Sequence, residues 1–212
     1  MLRFSIPTKD KRFDVGEVDG KSLEARLEDL ISEAKADFTN VGWLRLGDNS
    51  YCLEACKWLA ENLIKKCTEL RGLDVSNMFV ARNNDVVPEA LKVMLNAAIG
   101  HTKIRELRCS HNAIGLQAID SLAGFLEQAE ALELIDISNC GLSAEASQIL
   151  AKTLDKCDKM RLKEFVAIRQ QIRDTGIMAL AETFGKQGSI RVVNFNGCHA
   201  KVGLKTLFNQ LS

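Results

Sequence analysis

Apolar residues recur along the chain in one repeated frame, L-x-x-L-x-L-x-x-N-x-L. Ile104, Leu107, Cys109, Asn112 and Ile114 fit it, and so do Leu132, Ile135, Ile137, Cys140 and Leu142. The frame holds again at Val41, Leu44, Leu46, Asn49 and Tyr51, and at Leu70, Leu73, Val75, Met78 and Val80. It returns at Leu162, Phe165, Ala167, Gln170 and Ile172, and at Ile190, Val193, Phe195 and Cys198. Positions four and six of the frame alternate inward, as on a short strand. Position nine carries a side chain that can turn under the strand and bond backbone groups of the neighbouring unit. Each strand is followed by apolar residues at helical spacing, such as Ala118, Ile119, Leu122, Phe125 and Leu126, or Ile149, Leu150, Thr153 and Leu154.

Six units of strand, turn and helix predict an α/β leucine-rich-repeat solenoid of the ribonuclease-inhibitor type. Parallel strands are expected on its concave face and helices on its convex face. The frames start at 41, 70, 104, 132, 162 and 190, so the second unit is about five residues longer than the others. Insertions in a solenoid map to loops on one face, often the binding face. Residues 1–36 do not fit the frame and predict an N-terminal cap. Phe4-Ser5-Ile6 and Phe13-Asp14-Val15 read as short strands, and Ser22 as the N-cap of a helix through about Ala36 with Glu24 in its first turn. Residues 37–212 form six repeats in one continuous domain. The last predicted helix, about 201–211, still carries Val202, Leu204, Leu207, Phe208 and Leu211, so a C-terminal cap is not expected within the chain.

Composition narrows the function classes. The chain has 212 residues with 28 basic and 28 acidic side chains, so it lacks the basic excess that coating nucleic acid or an acidic membrane requires. No run approaches the roughly 20 apolar residues of a membrane span, and the start has no apolar signal region. Seven cysteines, an odd number without a C-x-x-C pair, read as reduced thiols of a cytosolic or nuclear protein. Gly16-Glu-Val-Asp-Gly20-Lys21-Ser22 is one residue short of a phosphate-binding loop, and Glu17 and Asp19 would repel phosphate, so it reads as a cap turn. His101, His111 and His199 have no metal-ligand spacing. No nucleophile, base or paired-carboxylate constellation is present. An enzyme with its own pocket is therefore not expected.

The long loop, Phe79 to Leu91, is the feature that the repeat does not explain. Pro88 suits the first helical position, which leaves Arg82 in the middle of an irregular polar segment at the solenoid edge. Two readings are open: a solvated arginine on a tolerated insertion, or a cation positioned for a partner's phosphate or carboxylate. The residues one before position nine, Asp48, Asn77, His111, Asn139, Arg169 and Gly197, line one rim, one per coil. A rim of mixed polar residues is what a protein-binding solenoid presents.

With the stretch Phe79-Val80-Ala81-Arg82-Asn83-Asn84-Asp85-Val86-Val87-Pro88-Glu89-Ala90-Leu91, the chain resembles the leucine-rich-repeat domain of the Ran GTPase-activating proteins. Phe4-Ser5-Ile6, the helix Glu54 to Asn62, Leu107 to Gly115 and Ala181-Glu182-Thr183-Phe184 also fit that family. The resemblance implies stimulation of GTP hydrolysis by the small GTPase Ran, and with it a part in nucleocytoplasmic transport. On it the family's essential Arg falls on Arg82, and the Asn thought to orient the partner's catalytic glutamine falls on Asn139, which makes these two the expected catalytic residues. Residue type alone suits Arg82 to an arginine finger, whereas the family is described as working without an inserted arginine, with Arg82 then anchoring or shaping the contact; both roles are open. A later family Arg falls on Arg169, although the Gly that precedes it in the family is replaced here by Ile168. Asp48, Asn77, Asn83, Asp85, His111 and Arg169 are the expected partner-binding residues. The implied partner is a Ran-type GTPase in its GTP form, and a Ran-binding protein is admitted as a third component. Nucleic acid and membrane are not expected partners. No cofactor of its own is implied, since GTP and Mg²⁺ belong to the GTPase. The implied location is cytoplasmic, with the nuclear envelope as a site of attachment. The family usually carries about eleven repeats and a strongly acidic tail, and these six repeats include neither the further coils nor an acidic run. The alternative is a non-catalytic protein-binding scaffold, which would leave the Arg82 loop without explanation.

Overall fold

The computed structural model describes residues 2–6, 11–32, 37–83 and 85–211, with the backbone alone at 208 and 211. The strands are β1 (Leu2–Ser5), β2 (Arg12–Phe13), β3 (Val41–Arg45), β4 (Ser50–Tyr51), β5 (Gly72–Asp74), β6 (Glu106–Arg108), β7 (Leu134–Asp136), β8 (Glu164–Val166) and β9 (Val192–Asn194). The helices are α1 (Leu23–Ser32), α2 (Leu53–Asn62), α3 (Val86–Ala98), α4 (Ile119–Leu126), α5 (Ala144–Asp155), α6 (Arg173–Gln187) and α7 (Val202–Leu211). Seven strands form one parallel sheet in the order β1-β3-β5-β6-β7-β8-β9, and β2 pairs with β4 in parallel beside it. The six repeat strands are therefore joined by a seventh, β1, from the N-terminal segment.

Register makes the core a stack of matched layers. Phe4, Leu44, Leu73, Leu107, Ile135, Phe165 and Val193 are successive partners across the sheet. All but Val193 are buried. They meet the apolar stripes of the helices, and each helix packs on those of the adjacent coils, α1 on α2 through α6 on α7. Contacts between neighbours alone are what a quasi-one-dimensional repeat requires. On the other face Arg45, Asp74, Arg108 and Asp136 lie in register, so charges alternate along the strand ends.

Position nine does what the frame predicts. Asn112 accepts from Met78 N at 3.0 Å and donates to Val75 O at 2.9 Å, across to the preceding coil. Cys140 Sγ donates to Cys109 O at 3.1 Å, Cys198 Sγ to Ala167 O at 2.8 Å, and Gln170 bonds Ile137 O and Leu142 N. Each bond satisfies a buried backbone group that the short strands leave unpaired. The seven cysteines are free, and all but the half-buried Cys157 are buried.

The N-terminal segment folds as a coil of its own. Ser22 Oγ accepts from Ala25 N at 3.2 Å at the start of α1, with Glu24 in the first turn. The predicted end of this helix, about Ala36, lies outside the described residues, as do Asn84 and the side chains of Phe208 and Leu211. The glycine-bracketed turn is closed by Val18 and Lys21, which bond each other's backbone at 3.0 Å.

One expectation about the loops needs correction. The helix after the long loop starts at Val86, not at Pro88, which is its third residue. A proline is tolerated there because the first N–H groups of a helix have no partner within it. The second unit is the longer one, as the frame predicts, but a long link between strand and helix occurs in two units. Residues 75–85 link β5 to α3 and 109–118 link β6 to α4, whereas the other repeat strands reach their helices in six or seven residues. The third unit hides its long loop behind a short helix, α4, of eight residues.

Candidate functional site

The six rim positions share one backbone state. Asp48, Asn77, His111, Asn139, Arg169 and Gly197 all have φ between 52° and 74°. The chain turns out of each strand there. The rim N–H then donates to the next coil: Asp48 to Ser76 O at 3.2 Å, Asn77 to Ser110 O, His111 to Ser138 O, Asn139 to Ile168 O and Arg169 to Asn196 O, each of these four at 2.8 Å. Asn and Asp adopt this left-handed state readily, and Gly at no steric cost. For an ordinary side chain the state costs roughly 1–2 kcal/mol, so Arg169 is the least expected member of the row. Asp74, Asp136 and Asn194 brace the turns from below, accepting from Ser76 N, Ser138 N and Asn196 N at 3.0 to 3.1 Å.

The rim side chains fall into pairs. Asn77 Nδ2 donates to Asp48 Oδ1 at 3.2 Å, and Asp48 is also held by Arg45. Asn139 Nδ2 lies 3.1 Å from His111 Nδ1. His111 is exposed but partnered. Arg169 extends from the rim, and its guanidinium makes no hydrogen bond among the described residues. Two strand spacings separate the Asn77 and Asn139 turns, about 10 Å.

The long loop departs from the rim just after Asn77. Ser50 Oγ donates to Val80 O at 2.6 Å and Tyr51 N to Met78 O at 3.0 Å, which lays the loop along β4. Val80, Ala81, Asn83 and Asp85 are exposed. Arg82 between them is not: its side chain is 7% exposed. The guanidinium turns inward, pairs with Asp14, and donates to Phe13 O at 3.1 Å and Ser50 O at 2.8 Å. The reading of Arg82 as a solvated arginine is therefore overturned, because three acceptors from β2, β4 and the segment after β2 converge on it. Its Nε is buried without a partner. Phe13 and Tyr51, paired across β2 and β4, stack their rings at 5.1 Å with planes 10° apart. Burial pushes the Asp14 carboxyl up, but hydrogen bonds and charge from Arg82 and Arg12 outweigh it and hold the carboxyl below its ordinary value.

The structure thus brings together Asp48 with Asn77 and His111 with Asn139, and keeps Arg82 in its own socket. Asn83 and Asp85 flank that socket; Asp85 precedes α3 without capping it through its side chain. Asp14 is the residue that sequence reasoning missed. It was read only as the middle of a short strand, and its partner lies 68 residues away. Among the described residues no group of three or more His, Cys, Asp or Glu side chains is placed to hold a metal ion, and no helix is long and apolar enough to cross a membrane.

No family model matches the chain. Two curated relatives are Ran GTPase-activating proteins. Ran GTPase-activating protein 1 of Xenopus laevis is 30% identical over 190 residues, which cover 82% of this chain and 32% of that protein. Ran GTPase-activating protein 2 of Caenorhabditis elegans is 33% identical over 142 residues, 59% of this chain and 15% of that protein. The chain therefore spans a third or less of these relatives' length. Among solved structures, the tropomodulin C-terminal domain from Caenorhabditis elegans superposes with a TM-score of 0.56 at 18% identity, over 75% of this chain and 90% of its own. Leiomodin-1 actin-binding site 2 gives 0.56 at 12% identity, over 75% and 87%. These two show the fold alone. Both relatives carry the name of the family that the sequence resembles.

Proposed function

We propose that this chain stimulates GTP hydrolysis by a Ran-type small GTPase, and that it does so from the rim. One observation carries the reading: 30–33% identity to two Ran GTPase-activating proteins, in a fold whose strand ends form a continuous row of polar, backbone-locked turns. The chain is a regulator of its partner's reaction, acts on the GTP form, and contributes no cofactor. GTP and Mg²⁺ belong to the GTPase. The setting is nucleocytoplasmic transport on the cytoplasmic side, including the nuclear envelope, with a Ran-binding protein as a further component.

Phosphoryl transfer needs positioning and charge stabilisation more than covalent help. Asn139 is the residue proposed to supply positioning. One of its amide hydrogens is directed at His111, which leaves the other hydrogen and the carbonyl oxygen for a partner. A donor and an acceptor on one amide can hold the side-chain amide of a catalytic glutamine against the attacking water. Asp48, Asn77, His111 and Arg169 on the rim, with Asn83 and Asp85 in the loop, are the proposed contacts. The fixed backbone of these turns supports the role, since preorganised contacts lose little freedom on binding. Arg82 belongs to this site as the residue that shapes the loop.

The test is single-turnover hydrolysis by GTP-loaded Ran with the chain and with its Asn139→Ala variant. Stimulation by the chain, with a fall of at least about 10-fold in the saturated rate for the variant, supports the reading. Equal saturated rates would remove Asn139 from the mechanism. Tight binding of Ran without any acceleration would favour the scaffold instead.

A further inference from the structure

We propose that Asp14 is the positioning residue through which Arg82 acts: the pair is a latch that fixes the loop carrying Asn83 and Asp85. The functional half of this proposal rests on the reading above. Its structural half stands on the geometry alone.

Arg82 is the side chain that turns inward between exposed Ala81 and exposed Asn83. Its bonds reach three separate places: the Asp14 carboxylate, the Phe13 carbonyl and the Ser50 carbonyl. The two carbonyls lie on the paired strands β2 and β4, so one guanidinium ties the loop, the first repeat and the N-terminal segment together. Arg12 reinforces the tie, reaching Asp14 at 2.6 Å and Ala81 O at 3.5 Å. Withdrawing Arg82 toward a nucleotide would break a charge-assisted pair and leave two carbonyls without their donor. A planar fork is needed to serve the three acceptors at once, so lysine cannot substitute for it. Asp14 itself is 43% exposed, so its replacement by Asn removes charge without opening a buried cavity.

The experiment compares the wild-type chain with Asp14→Asn, Arg82→Lys and the double variant. Hydrogen exchange of the loop around Arg82 is followed, and single-turnover GTP hydrolysis by Ran is titrated to saturation. Both single variants should speed loop exchange by about 10-fold or more. They should raise the chain concentration for half-maximal hydrolysis while the saturated rate is largely kept, and the double variant should be no worse than the worse single one. An inserted arginine would behave otherwise: Arg82→Lys would collapse the saturated rate while Asp14→Asn behaved as wild type, and that result overturns the proposal. Unchanged exchange in Asp14→Asn overturns it as well. If the wild-type chain does not accelerate Ran at all, the activator reading falls with the functional half of the proposal, and the exchange result alone decides whether the latch exists.

Discussion

The Trp43 ring lies directly over Gly72 on the next strand: a Cβ placed on Gly72 would stand 1.8 Å from the ring. The glycine makes room for an aromatic plate that Arg3 and Arg108 also approach, at 5.6 and 5.9 Å from the ring centre. Gly72→Ala should therefore force the indole or the strand to move. A loss of about 1–3 kcal/mol is expected in urea unfolding, the usual cost of overpacking. Trp43→Ala combined with Gly72→Ala should recover part of it.

Asn112 serves three backbone groups at once, on Met78, Val75 and Cys109. Asn112→Ala leaves them unpaired in a buried layer. The expected loss is about 2 kcal/mol or more, with faster hydrogen exchange in the turn of the preceding coil as the local signature.

Acid should weaken the tie between the N-terminal coil and the long loop. The Asp14 carboxyl is held below its ordinary value in the fold, so it binds fewer protons than in the unfolded chain. Its contribution is fully present above the unfolded carboxylate value of about 3.9 and is lost as pH falls through the lower folded value. Asp174 has the same sign, lowered by backbone N–H bonds from Gly203 and Lys201 at the start of α7. Unfolding followed between about pH 5 and pH 2 should show a shallower acid limb for Asp14→Asn than for wild type.

The buried thiols should be unreactive while the chain is folded. Burial pushes Cys67 and Cys140 up to about 12, and raises Cys56 and Cys109 well above the ordinary thiol value. Since the thiolate is the nucleophile, alkylation at pH 8 should reach the half-buried Cys157 well before these four. Rapid modification of Cys109 in the folded chain would contradict the layered core.

Much of the fold is legible in the leucine frame, because a period of alternating apolar positions followed by a helical stripe has few other ways to bury its face. Leu44, Leu73, Leu107 and Ile135 fall where the frame puts them. The rim is legible too, since Asp48, Asn77 and Asn139 are residue types that accept a left-handed turn. The Arg82 latch is not legible. Nothing local to Arg82 signals that Asp14, 68 residues earlier, turns toward it, and an arginine in a polar loop looks the same whether it faces water or a carboxylate. The start of α3 was misplaced for a local reason: a proline marks the first turn of a helix but does not distinguish its first position from its third.

The central claim is that this chain accelerates GTP hydrolysis by a Ran-type GTPase, and the most direct measurement is single-turnover hydrolysis by GTP-loaded Ran titrated with the wild-type chain. The account predicts a saturable acceleration of the hydrolysis rate well above the intrinsic value. A rate that stays at the intrinsic value at every concentration of folded chain would contradict it.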